Sequence, residues 1–131
     1  MKLYYFNFYG RGEAIRMLLN HAKKPYENIQ ISKDDWPRYK KSNLFEFQQM
    51  PMLEVDDKRL TQSKAILRYL GKQYGYYSKD PYVACLQDSI VDQLDDMAVH
   101  AFRVRTEKDE RKQRQDMVMF SKETFNSMCK A

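Results

Sequence analysis

Apolar and polar positions alternate along the chain in two manners: the first half switches between the strand period and the helix period, and the second half keeps the helix period. Residues 2–8 are aromatic and β-prone, so the chain opens on a strand. Ile15, Leu18, Leu19 and Ala22 then share one face of a helix that ends before Pro25. Ile29 and Ile31 alternate with polar neighbours in a second strand, and Ser32 with Asp35 has the form of a helix start leading into a short segment through Tyr39. Residues 52–55 form a short apolar strand, Asp56 and Asp57 a turn, and Leu60 with Thr61 the returning strand of a hairpin. A helix follows from Ser63, whose hydroxyl is placed to cap it, and its pattern fades between Gly71 and Gly75. From Pro81 onward Leu86, Ile90, Leu94, Met97, Ala98 and Ala101 keep helical spacing, and a further helical run is expected from about Asp109 to the end. The pattern predicts an α/β domain over 1–75 in the order βαβαββα, a short linker, and a partial all-α domain over 81–131.

A chain of 131 residues can bury one sizeable core. The net charge of +5 would permit nucleic-acid binding, but basic and acidic residues are interleaved, as over 103–123, and such mixed runs read as solvated helix faces. No nucleic-acid partner is therefore expected. No window approaches the roughly 20 apolar residues of a membrane span, and the amino terminus lacks a basic stretch followed by an apolar run. Cys85 and Cys129 form neither a metal-binding spacing nor a disulfide framework, which fits a soluble protein of a reducing, cytoplasmic compartment.

Three blocks carry chemistry. The first is Leu3-Tyr4-Tyr5-Phe6-Asn7-Phe8-Tyr9-Gly10-Arg11-Gly12-Glu13-Ala14-Ile15-Arg16, and the second joins Gln49-Met50-Pro51-Met52 to Gln62-Ser63 through the hairpin. The third is Asp88-Ser89-Ile90-Val91-Asp92-Gln93-Leu94-Asp95-Asp96. The start of the helix at Ser63, with its spare N–H groups and positive dipole end behind the polar Gln62, makes an anion site suited to a carboxylate. In this order and spacing the blocks resemble the cytosolic glutathione transferases, and among them the sigma-like class. The resemblance runs over roughly residues 1–103, and it implies a thioredoxin-like first domain followed by a helical second domain.

A glutathione site must favour a thiolate. A thiol with pKa near 8.5 is only a few per cent ionised at neutral pH, and a hydroxyl aimed at the sulfur shifts that balance. A phenol at the end of the first strand is a rigid donor far from the backbone. Neighbouring strand residues face opposite ways, so one of Tyr4 and Tyr5 can serve, and the motif position implies Tyr5. The resemblance also implies that Arg11, in the turn after the strand, supports that tyrosine. It implies a cis Met50–Pro51 bond that lets the Met50 main chain pair with the cysteinyl backbone of glutathione, for which X–Pro is the one cheap linkage. Gln62 and Ser63 are implied for the γ-glutamyl carboxylate, and Trp36 and Lys40, helped by Gln48 or Gln49, for the glycyl end. Gln48-Gln49 stands where family members often carry Gly-Lys.

The third block implies that Asp96 reaches the glutathione amine of a partner subunit. Asp92, Asp95 and Asp96 also lie within one turn, close enough to share a cation or to form a plain acidic surface. No metal is required by the chemistry that the resemblance implies. His21 and His100 read as structural. Family members carry more helices in the second domain than the roughly two expected here, so Met97, Phe102, Met117, Val118, Phe120 and Phe125 are expected to lack some apolar partners, and a homodimer, a helix exchange or a larger assembly to cover them. Two functions follow. One is a transferase that joins the glutathione thiolate to a hydrophobic electrophile in detoxification, with prostaglandin-type isomerisation as a further reaction. The other is a non-catalytic scaffold or subunit that keeps only the glutathione subsite.

Overall fold

A computed structural model describes residues 1–125, with side chains through Lys122. It divides into two compact units, Met1–Pro81 and the residues from Tyr82 onward. The first unit contains β1 (Lys2–Phe6), α1 (Glu13–His21), β2 (Glu27–Ile31), α2 (Trp36–Lys41), β3 (Met52–Val55), β4 (Lys58–Thr61) and α3 (Ser63–Tyr74). This is the βαβαββα order expected of a thioredoxin-like domain. The sheet runs β2-β1-β3-β4. β1 pairs with β2 in parallel, Tyr5 opposite Gln30, and with β3 antiparallel, Leu3 opposite Leu53. The β3–β4 hairpin closes the edge, with Met52 opposite Thr61.

Strand alternation decides which layer each residue joins. Leu3 and Leu53 turn to one face, where they are fully buried with Ile15 and Leu19 of α1 and Ile66 and Leu70 of α3. Removing each such side chain from water contributes about 1.5–3 kcal/mol. Ile31, Met52 and Phe45 turn to the other face, under Tyr4, Trp36 and Tyr39. Aromatic edges hold this second layer together: Phe45 meets Tyr4 at 6.1 Å, Trp36 at 5.3 Å and Tyr39 at 6.3 Å between ring centroids. Ser32 and Asp35 bond each other reciprocally at 2.7 and 3.0 Å ahead of α2, so that the helix itself begins at Trp36.

The second helix start departs from expectation. Ser63 does not cap α3; it is the first helical residue, and Gln62 is the N-cap, with φ 67 and no capping bond from its side chain. β4 ends at Thr61, which leaves one residue to reverse the chain, and a left-handed φ at Gln62 accomplishes the reversal. At the other end Gly75, at φ 83, closes the helix in the left-handed conformation that glycine adopts without steric cost.

The second unit holds most of α4 (Pro81–Thr106), with α5 (Glu110–Met119) and a π-helical run, Phe120–Phe125. Asp109 caps α5, accepting from the N–H groups of Arg111 and Lys112 at 2.9 and 3.2 Å. The helical run expected to reach the chain end thus changes its winding at Phe120, and its last residues, with Cys129, lie outside those described. Leu86, Ile90, Leu94, Phe102, Met117 and Val118 are exposed, whereas Phe120 stacks on His100 at 5.3 Å. No helix among the described residues is long and apolar enough to cross a membrane.

Candidate functional site

The site begins at the carboxyl end of β1. Tyr5 is 6% exposed, on the face of the sheet that carries Leu3, while Tyr4 turns to the opposite face and donates to Glu54 at 3.5 Å. The turn after the strand folds back over the phenol. The main-chain N–H of Arg11 donates to Tyr5 Oη at 3.0 Å. A phenolic oxygen both accepts and donates, so a bond accepted from Arg11 leaves the O–H proton to point at a third group. The close fit depends on glycine: a β-carbon at Gly10 would lie 2.8 Å from Tyr5 Oη, and one at Gly12 would lie 2.5 Å from Tyr5 Cδ1. Phe8 stands 5.7 Å from the Tyr5 ring and stacks on Phe6 at 5.3 Å, with nearly half of its surface exposed.

Arg11 also lines a shallow, open cleft. The other walls are Phe47, Gln49, Met50 and Pro51 on one side and Thr61, Gln62 and Ser63 on the other. The Met50–Pro51 bond is cis, the geometry that the resemblance implies. Gln62 donates its side-chain amide to Gln49 Oε1 at 3.3 Å and so ties the two walls together. Its left-handed backbone is a strain of about 1–3 kcal/mol for a residue other than glycine, held at the cleft's edge. Ser63 opens the 12-residue α3 in the cleft wall, which puts the positive end of that helix beside any bound anion.

Of the residues singled out in the sequence, Arg11, Gln49, Met50, Pro51, Gln62 and Ser63 meet at this cleft, with Tyr5 joined to it through Arg11. Trp36 and Lys40 are not among its walls. Trp36 is half-buried, its ring edge-on to Phe6 at 5.9 Å and to Phe45 at 5.3 Å, and Lys40 is exposed on α2. Gln48, at φ 51, lies between the wall residues Phe47 and Gln49 without itself joining the walls. Asp96 is exposed on α4, in the second unit. Among the described residues no three His, Cys, Asp or Glu side chains gather as a metal site requires. Sequence reasoning missed Phe47, Thr61 and Gly12. For the glycines the signal was present in Gly10-Arg11-Gly12, two small residues beside a phenol.

The family model for the glutathione S-transferase N-terminal domain matches residues 1–72. The chain belongs to the glutathione S-transferase family. A glutathione S-transferase of Anopheles gambiae is 34% identical over 124 residues, 95% of this chain and 60% of the relative. The solved structure of a prostaglandin synthase D of Nilaparvata lugens superimposes with a TM-score of 0.84 at 35% identity, over 94% of this chain and 61% of that one. A monomeric glutathione S-transferase of the hookworm Necator americanus gives 0.76 at 41% identity, over 87% and 58%. The chain thus spans about three-fifths of the length of these relatives, and the glutathione S-transferase fold extends over nearly all of it.

Proposed function

We propose that this chain binds glutathione in the cleft between the cis-proline loop and α3, and that the Tyr5 hydroxyl holds its sulfur as a thiolate for attack on a hydrophobic electrophile. One observation carries the reading: Arg11 supplies Tyr5 Oη with a main-chain donor at 3.0 Å, which leaves the phenolic proton for a third group, and Arg11 itself lines the cleft with Gln62, Ser63 and Met50. The helix end at Ser63 receives the γ-glutamyl carboxylate with Gln62, and the Met50 main chain pairs with the cysteinyl unit as an added strand residue would. Gln49 lies toward the glycyl end, where Trp36 and Lys40 complete the contacts, and Asp96 of a partner subunit meets the glutathione amine.

The thiolate attacks an electrophilic carbon, the carbon–sulfur bond forms, and a leaving group such as halide departs with its electron pair. The Tyr5 donor acts before the attack: by favouring the ionised sulfur it raises the fraction of bound glutathione that is thiolate at neutral pH, and the thiolate is the nucleophile. Kinship to a prostaglandin synthase D supports a second reaction of the same thiolate, isomerisation of a prostaglandin endoperoxide, and supports assignment to the sigma-like class. The working protein is a cytoplasmic homodimer with its glutathione domain over 1–75 and its helical domain over 81–131.

Calorimetric titration with glutathione, with an aryl-halide conjugation assay and an endoperoxide isomerisation assay alongside, tests this. Saturable binding that Ser63→Ala weakens, with turnover that Tyr5→Phe abolishes, is the expected result. Binding without turnover overturns the enzyme in favour of the scaffold, and absence of binding overturns the site. Sedimentation equilibrium decides the dimer against the monomer known for one relative.

A further inference from the structure

Arg16 has no part in the contacts proposed for glutathione, yet it is the most constrained cation near Tyr5. Its side chain is 11% exposed, although it projects from the first turns of a surface helix. One terminal nitrogen bonds Glu13 at 3.2 Å, and the other reaches the carbonyls of Phe6 and Phe8 at 3.2 and 3.3 Å. Those two carbonyls belong to the segment that leads from Tyr5 into the glycine turn. The guanidinium carbon lies 5.6 Å from the centroid of the Tyr5 ring.

The guanidinium of Arg16 is also not fully paired. Its Nε is buried with no hydrogen-bond partner. A buried donor left unpaired is costly, and a structural arginine normally places its whole fork on acceptors. Here the terminal nitrogens serve Glu13 and the two carbonyls beside the Tyr5 ring, and Nε is left over. The same helix crowds the ring from its start, because Gly12 allows its main chain against Tyr5 Cγ and Cδ1.

We propose that Arg16 is the positioning residue for Tyr5: it fixes the angle of the phenol and the path of the turn that follows, and places a permanent positive charge behind the point where sulfur ionises. The inference rests on the transferase reading. A guanidinium keeps its charge across the working pH range, and in a site shielded from water its attraction for a developing anion is screened far less than at an open surface. Glu13, at 3.2 Å, offsets part of that charge and holds the fork in place. Arg16 therefore governs how readily bound glutathione ionises, with little influence on how tightly the tripeptide is held.

The test reads the pH midpoint of thiolate formation in the glutathione complex, from ultraviolet absorbance and from the pH profile of kcat/KM. Arg16→Gln keeps an amide donor for the carbonyls and removes the charge; it is expected to move the midpoint upward by about one pH unit while Kd for glutathione stays within about threefold. Arg16→Lys restores part of the shift. Glu13→Gln removes the offsetting charge and moves the midpoint downward, which reads the same device from its other side if Arg16→Gln fails to fold. A folded Arg16→Gln variant with an unchanged midpoint, or a Glu13→Gln midpoint that stays or rises, overturns the proposal. Failure of the unsubstituted protein to bind glutathione overturns instead the transferase reading, and Arg16 then has no thiolate to govern.

Discussion

The main chain of Gly12 lies so close to the Tyr5 ring that a β-carbon there would stand 2.5 Å from Cδ1 and 2.6 Å from Cγ. Gly12 itself has ordinary right-handed angles, φ −82 and ψ −19, so alanine is compatible with its backbone and the conflict is purely one of space. Gly12→Ala is expected to push the phenol out of line and to cost about 1–3 kcal/mol, as overpacking does. Conjugation activity should fall more steeply than stability; urea unfolding and aryl-halide turnover on the same preparation check the two.

Tyr5→Phe removes the donor and leaves the Arg11 N–H without its acceptor. Loss of the donor lowers the thiolate fraction at neutral pH, so turnover there should fall by about tenfold for each pH unit by which the midpoint of sulfur ionisation rises. Loss of that part-buried hydrogen bond adds a destabilisation of about 0.5–1.5 kcal/mol. Glutathione affinity, set by the Gln62 and Ser63 side of the cleft, should change little, and calorimetry beside steady-state kinetics separates these effects.

Gln62→Gly sets stability against binding. Glycine adopts φ 67 without strain, but it costs about 0.5–1 kcal/mol in chain entropy, so the net stability change should stay within about 1 kcal/mol. The bond to Gln49 and the side chain at the helix start are lost, and glutathione should bind more weakly by about tenfold, the loss of one hydrogen bond to a charged group. Thermal unfolding paired with titration reads both.

Leu53 lies at the centre of the sheet, fully buried between α1 and α3. Leu53→Ala is expected to cost about 2–5 kcal/mol, a large part of the 5–15 kcal/mol typical of a domain. Denaturant titration should show an earlier midpoint for the first unit.

Alkaline pH acts on the opposite face. Tyr4 is held above its ordinary value of 10.0, first by burial and then by the Glu54 carboxylate beside it. A group raised in the folded state contributes stability that is complete below its unfolded value and is lost as pH climbs through the folded one. Stability should therefore decline above about pH 10, and Tyr4→Phe should make that decline shallower. Lys2, raised chiefly by its hydrogen bond to Glu54, contributes in the same direction and remains in the variant. Unfolding curves at pH 9 and above, with and without Tyr4, supply the comparison.

Much of this was legible in the chain because period and motif coincide. Leu3 and Tyr5 against Tyr4, and Leu53 against Met52, follow from strand alternation alone, and Ile15 with Leu19 marks the inner face of α1. What escaped has a common cause: it depends on the path of the main chain. The placement of Ser63 failed because a single left-handed glutamine turns β4 into α3, a conformation that no propensity assigns to glutamine. Arg16 drew no reading of its own, since nothing in its spacing tells that the carbonyls of Phe6 and Phe8 return to meet it. The packing of Trp36 was equally hidden, since its ring partners, Phe6 and Phe45, come from segments that only the folded sheet brings beside α2.

The donor that Arg11 gives to Tyr5 belongs to the backbone, and its side chain is not needed for it. Any residue but proline supplies the same N–H, so this part of the phenol's environment is inherited through the route of the turn and not through the identity of position 11. Sequence drift at that position can alter what lines the cleft while leaving the direction of the phenolic proton intact. Tuning of the ligand and preservation of the chemistry are thereby assigned to different atoms of one residue.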